Sequence, residues 1–558
     1  MSFAESHDTK QGPVSAATGR EDKLARRGGW LPAGRAMVPL GGWAHCVCAG
    51  LIGANAVMVR VPAPMTEART VPDVLAAAVR AHPARDAYVH GDRRVSYGDL
   101  ERASAGVAAT LRAFGVGRGD VVCLLIPSSP DFAAAYLGAM RAGAITSAVN
   151  QRLGPSERAS IIERTEPRVT IALDDQTIPD GSGRVLRLSE LGFAFAAPRS
   201  TEPRLEPDDP AAIVWTSGTT GAPKGAVYDH TSMRVIHEGM GDLTRPADRR
   251  VVSLPFAHVG YMTRIWDELA SGTTLVLVGE PWSAAHQIEL IEREHVTMAT
   301  GVPTQWELML ANPALDTCDR SHLRLAAVGG ASVAPDLVRR MRERLGCPII
   351  TRYASTEGGL LTGTRIGDDD ETVAQTVGVP SPVVELTIVD PATDVPVDAG
   401  IVGEVRTRSR AMFRGYWRDP QLTAATFDSD GRLKTGDLGC IGPDGNLRLV
   451  GRLKEMYIRG GYNVYPAEVE GVLADHPRVS QVAVVGTPSP VLGEVGVAFV
   501  VAEADRPVPD LAELRAWCRE RLADYKAPDR LVVVPALPVT AGQKIDKAAL
   551  AATAKETE

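Results

Sequence analysis

Aromatic side chains make up only 5% of this 558-residue chain, and its seven cysteines include no Cys-x-x-Cys pair. The cysteines (Cys46, Cys48, Cys123, Cys318, Cys347, Cys440, Cys518) are odd in number and scattered. That argues against a disulfide framework or a structural zinc site, and for a reducing, cytoplasmic setting. A basic excess is missing too. Lys and Arg number 60 against 68 Asp and Glu, leaving a formal charge of −8, so nucleic-acid binding is not an expected task. No internal repeat is evident. One run lacks Asp, Glu, Lys and Arg, from Met37 to Val59. It is long enough for a membrane span, but glycines, Pro39, His45 and Asn55 interrupt it, so a membrane role is not expected. Residues 1–63 read instead as a disordered extension, or as an over-long reading frame with its natural start at Met58 or Met65.

The remainder is dense and regular. At this length a single core is improbable, so two or more domains are expected. Val71-Pro72-Asp73 opens a helix, and Arg94–Leu100 is a strand-turn opening another through residue 114. Asp120–Ile126 reads as a buried strand, followed by an Ala-rich helix over 131–142. Strand and helix keep alternating to residue 345, which implies layered α/β packing with largely parallel sheets. Past residue 376 short strands and turns dominate.

Residues 216–225, Thr-Ser-Gly-Thr-Thr-Gly-Ala-Pro-Lys-Gly, form the most informative stretch. Gly218, Gly221 and Gly225 let backbone N–H groups approach an anion, Ser217, Thr219 and Thr220 add hydroxyl donors, and Lys224 adds charge. The apolar run Ala211–Trp215 reads as a strand feeding this loop. The spelling is not the common P-loop, which needs Gly-Lys followed by Ser or Thr.

The stretch resembles the phosphate loop of the adenylate-forming enzymes: acyl-CoA synthetases, peptide-synthetase adenylation domains and firefly-type luciferases. The resemblance runs from about residue 66 to residue 550. It implies a large N-terminal domain of layered α/β sheets with a β-rich subdomain (64–450), a hinge (451–454, with Lys454 as pivot), and a small mobile α+β domain (455–558). It also implies ATP, Mg²⁺ and coenzyme A as ligands, with a small-molecule acid as substrate. Thr216, Ser217, Gly218, Thr219, Thr220, Gly221 and Lys224 would then cradle the phosphates.

Further matches carry further roles. Gly329, Gly330 and Ala331 would flank the adenine and the acid. In Tyr353-Ala354-Ser355-Thr356-Glu357, Tyr353 would stack on adenine, Thr356 would meet the α-phosphate and Glu357 would hold Mg²⁺. A carboxylate suits that hard dication. Asp437 of Thr435-Gly436-Asp437 would bind the ribose diol, helped by Arg452. Lys544 would be the catalytic lysine, with Thr356, Glu357 and Lys224 completing the catalytic set. His258 would gate the acid tunnel, and Gly460 and Gly461 would line the coenzyme A tunnel.

The chain departs from the family pattern in Ala354 for Gly, in Arg352 as a charge beside Tyr353, and in Gln543 for the Gly before the lysine. Arg264, Asp267 and Glu268 stand where fatty-acid enzymes tend to be apolar, and Trp306 is placed to shorten the tunnel. Arg264 and Trp306 therefore join the substrate-binding candidates, and a small polar or aromatic acid is expected over a long chain. Three other readings stay open: loading of a separate carrier protein, activation of an unusual acid such as nitrite, and a non-enzymatic ATP-binding module.

Overall fold

The structure, a computed structural model, describes residues 67–191, 202–216, 222–330, 333, 335–504, 506–540 and 544–556, all within one compact unit, Val61–Glu558. The expectations for residues 1–63 lie outside the described residues.

A nine-stranded sheet runs in the order Val379–Pro380, Gly359–Gly363, Ile349–Ser355, Leu325–Gly329, Met298–Gly301, Arg249–Val252, Thr274–Leu277, Asp86–His90 and Arg93–Ser96. Its six inner strands are mutually parallel and its flanking strands antiparallel. A six-stranded sheet runs Arg184–Arg187, Val169–Ala172, Val121–Leu125, Ile145–Ala148, Pro210–Thr216 and Lys224–Asp229, with only the last strand antiparallel. The inner strands are near-continuous apolar runs because both of their faces are covered. One apolar cluster joins the two sheets through the helices Tyr97–Ala113, Pro130–Arg141 and Ile265–Ala270: Val122 and Leu124 share it with Phe132, Tyr88 and Leu275.

The β-rich expectation past residue 376 takes the form of a four-stranded antiparallel sheet: Glu385–Val389, Gly403–Arg408, Leu433–Ile441 and Leu447–Arg452. A further sheet, Tyr457–Arg459, Tyr462–Val464, Val479–Ser489, Gly493–Ala502 and Arg530–Val533, carries the helices Pro466–Ala474, Leu511–Arg519 and Lys547–Glu556. Its two apolar clusters, around Tyr457 and Phe499, share no residue with those before residue 450. This last lobe therefore carries apolar cores of its own. Among the described residues, no helix is long and apolar enough to cross a membrane.

Two glycines on helices test how tightly the layers fit. A Cβ at Gly138 would fall 2.6 Å from Val107 and 2.9 Å from the Ser104 carbonyl, where the two long helices cross. A Cβ at Gly471, in the helix Pro466–Ala474, would meet nothing within 4 Å. Gly138→Ala is expected to cost about 1–3 kcal/mol through overpacking. Gly471→Ala should stabilise its helix by about 0.5–1 kcal/mol. Calorimetric midpoints should therefore move in opposite directions, and a shared direction would contradict the packing described.

Candidate active site

The two described ends of the phosphate-loop sequence, Thr216 and Lys224, lie on paired strands. Strand Pro210–Thr216 pairs antiparallel with Lys224–Asp229, placing Thr216 opposite Lys224. Ser217, Gly218, Thr219, Thr220 and Gly221 lie outside the described residues. Lys224 Nζ sits 5.7 Å from the centroid of the Tyr416 ring. The Tyr416 hydroxyl donates to Glu357 Oε1 at 2.8 Å, and the Tyr228 hydroxyl donates to the Thr356 carbonyl at 2.6 Å. The fold therefore brings Lys224, Thr356 and Glu357 to one place. Sequence reading missed Tyr416. Its signal was a tyrosine-tryptophan pair in a chain short of aromatics.

Strand Ile349–Ser355 continues through the Tyr353 motif, because Gly359–Gly363 pairs back against it with a bulge at Tyr353/Ala354. Ala354 is exposed, and the Ser355 hydroxyl accepts from the Gly358 N–H at 2.9 Å. Tyr353 is buried, and its hydroxyl donates to Asp437 Oδ2 at 2.6 Å. Arg452 Nε donates to the other oxygen, Oδ1, at 3.1 Å. These two residues face each other across the antiparallel pair Leu433–Ile441 and Leu447–Arg452. A hydrogen bond to a charged group is worth about 1.5–3 kcal/mol, so the Asp437 carboxylate is fixed in orientation while keeping lone pairs for a diol. Gly329 pairs with Arg352, and a Cβ there would fall 2.6 Å from the Arg352 carbonyl. Gly330 follows with φ +82°. Ala331 lies outside the described residues.

His258 caps the short helix Val259–Met262, its Nδ1 accepting from the Gly260 N–H at 3.1 Å. By surface area His258 and Lys544 are both exposed, yet each is surrounded by protein at longer range, as befits groups lining a recess. Burial, then the Lys544 charge, pushes the His258 pKa down to about 4, so its imidazole is neutral at ordinary pH. Lys544 is lowered from its usual value by burial first and by Arg452 second, with Asp437 and Glu357 opposing. The lysine of the last lobe thus shares a field with groups of the first.

One substrate candidate is corrected. Trp306 is fully buried in the cluster behind the nine-stranded sheet, and its indole N–H donates to the Ala327 carbonyl at 3.2 Å. It fills core and leaves the substrate set, because an apolar ring with a satisfied donor packs best inside. Arg264 is held by Asp267 at 3.1 Å, and Asp267 also takes His237 and Thr244 at 2.8 Å each. Its charge is therefore engaged within the fold. Arg250 pairs with Glu268 beside it. At the other end, Gly460 and Gly461 form the turn between Tyr457–Arg459 and Tyr462–Val464, with φ of +55° and +88°. Lys454 follows the last strand of the four-stranded sheet.

The model of the AMP-binding enzymes matches residues 75–417, and that of the AMP-binding enzyme C-terminal domain matches residues 468–544. The chain belongs to the AMP-binding enzymes. It is an ATP-dependent, acid-activating ligase of the acyl-CoA synthetase type within the adenylate-forming superfamily. It is 36% identical over 514 residues to a 3-(7a-methyl-1,5-dioxo-octahydro-1H-inden-4-yl)propanoyl:CoA ligase of Mycobacterium tuberculosis, which covers 87% of this chain and 98% of the relative. A feruloyl-CoA synthase of Amycolatopsis sp. is 34% identical, with 84% of this chain and 96% of the relative covered. Among solved structures, ATP-bound MatB of Rhodopseudomonas palustris superposes with a TM-score of 0.79 at 27% identity, covering 88% of this chain and 99% of that one.

The lowered lysine pKa gives a test of sign. Lys544 is cationic below its pKa and loses charge as pH rises through it, so acid activation should fall on the alkaline side with an apparent pKa below the usual lysine value of 10.5. Lys544→Arg should carry that limb to higher pH. A limb indifferent to this exchange would assign it to another group.

Proposed function

We propose that the described residues divide the reaction between two lobes. The acid's carboxylate oxygen attacks the α-phosphorus of ATP, the bond to the β-phosphate oxygen breaks, and pyrophosphate leaves. A thiol sulfur then attacks the acyl carbon, loses its proton and displaces AMP. Attack brings two anions together, so cations and donors must surround the phosphorus. Lys224, at the start of its strand, holds the leaving phosphates. The Thr356 hydroxyl and Lys544 take up charge on the α-phosphate. Each preorganised donor of this kind contributes about 3–4 kcal/mol to the transition state.

Tyr353 and Arg452 keep Asp437 oriented for the ribose, and the Tyr353 ring offers its face to adenine. Gly329 and Gly330 leave room for backbone to approach nucleotide and acid. The donor set suits Mg²⁺ as ATP carries it. Glu357 offers one carboxylate, steadied by Tyr416, and among the described residues no group of three or more His, Cys, Asp or Glu forms a cage. Glu357 would hold the ion, which would neutralise phosphate charge. Neutral His258 stands at the acid's entry without competing for its carboxylate. Lys454 is the pivot about which residues 455–558 turn, withdrawing Lys544 and presenting Gly460 and Gly461 to the pantetheine arm.

The observation that carries this reading is the convergence of Lys224, Glu357 and Thr356 through Tyr416 and Tyr228, with the Asp437 carboxylate fixed by Tyr353 and Arg452. Names of full-length relatives support coenzyme A over a carrier protein as acceptor, and a carbon acid over nitrite. The intact Lys544, Glu357 and Asp437 argue against a non-enzymatic nucleotide-binding module. The charged groups packed behind His258 support a small polar or aromatic acid over a long alkyl chain.

Lys544→Ala should reduce adenylate formation by about 10²–10³-fold, while thioester formation from a supplied acyl-adenylate stays largely intact. Single-turnover measurements of the two half-reactions decide. Equal losses in both would refute the two-lobe division.

A further inference from the structure

The reading above leaves one cation of the acid-side region unexplained. Arg352 stands one residue before Tyr353 on the strand Ile349–Ser355, on the same rung as Gly329. Ile350, two residues earlier, packs in the cluster that holds Met262, Ile265 and Trp266, whereas Tyr353 packs with Leu361, Val384 and Ile388. Alternation along the strand therefore turns Arg352 away from the nucleotide and toward the segment that begins at His258. Its guanidinium lies over Gly363 on the neighbouring strand, in space that any Cβ there would take.

The Arg352 side chain makes no hydrogen bond or ion pair among the described residues, and its Nε is sealed from solvent without an acceptor. The neighbouring charges do not relieve it. Arg250 is matched by Glu268 and Arg264 by Asp267, so three guanidiniums face two carboxylates. Arg264 adds repulsion, and its own Nε is also buried without a partner. Burial, then Arg264, lowers the Arg352 pKa to about 9. A largely buried, unmatched guanidinium is costly unless something supplies the missing acceptor.

We propose that Arg352 recognises a second anionic oxygen group on the acid substrate, so that this ligase selects acids carrying a further carboxylate beyond the one it activates. This specificity rests on the acid-activating reading and adds the substrate class to it. A guanidinium fits a carboxylate because its fork of N–H donors matches two oxygens at once, and the substrate's charge completes the local balance. Arg264 and its partners hold the surrounding charges in place.

The test is ATP–pyrophosphate exchange with matched acids of one carbon skeleton: a monocarboxylate, the same acid with a second carboxylate at the far end, and that diacid with its far group as a neutral methyl ester. The wild-type enzyme should favour the diacid in kcat/KM by about tenfold or more, since a site built around a polar group rejects ligands that leave it unpaired. In Arg352→Met the diacid should lose about 10²-fold, mostly in KM, collapsing the preference, and Arg352→Lys should restore part of it. ATP binding by each variant checks that it is folded. The wild-type comparison needs no variant and stands alone.

A wild-type enzyme indifferent to the second carboxylate overturns the proposal, as does one that accepts the ester equally. Equal loss for monoacid and diacid in Arg352→Met overturns it as well, assigning Arg352 to the common carboxylate. In those three outcomes acid activation itself survives. Absence of exchange with every acid would instead remove the acid-activating reading, and this proposal with it.

Discussion

Charge compensation around one phosphorus is the constraint from which the rest of this molecule follows. A triphosphate and the carboxylate that attacks it repel each other, and water would screen that repulsion only by solvating both reactants apart. On the proposed reading the chain answers with cations and donors drawn from distant segments: Lys224 at the start of strand Lys224–Asp229, Thr356 and Glu357 after a bulged strand, and Lys544 from the final lobe. No single supersecondary unit could deliver all of them. Two sheets joined by one apolar cluster give the first lobe its rigidity. The second lobe carries apolar clusters of its own, and on the proposed reading this lets it carry Lys544 to the site and away again.

Tyrosines do much of the positioning. Tyr353 and Tyr416 each donate to a carboxylate, of Asp437 and Glu357 respectively, and Tyr228 donates to the Thr356 carbonyl. Burial raises the pKa of all three phenols, so each remains a donor throughout the working pH range. In a chain with few aromatics, these rings are concentrated where a rigid arm with one polar tip is useful.

Many of the candidate site residues could be picked out in the sequence because adenylate chemistry calls for particular residue types at short spacing. Asp437 and Arg452 are fifteen positions apart, and antiparallel pairing sets them opposite one another, as the spacing implied. Lys224 was legible as the end of a glycine-rich loop. Trp306 was misread, and the pairing of Arg264 went unseen, for a common reason. Spacing shows that a residue lies near a pocket, but not which face of a sheet its side chain takes or which neighbour claims its charge. Trp306 falls behind the sheet, and Asp267 claims Arg264. Tyr416 escaped notice because its role is made by a contact 59 positions away in sequence.

The sequence by itself determined the fold class, the nucleotide chemistry and the identity of the charged groups, since these depend on local patterns of apolar spacing, glycine and hydroxyl. Only the tertiary structure decided which charges are matched. Ion pairing depends on distance and burial, and those arise from packing between segments that the sequence sets far apart. That is why Arg264 emerges as a charge paired with Asp267, and Arg352, visible in the sequence only as an unusual charge beside Tyr353, as a guanidinium with no partner among the described residues.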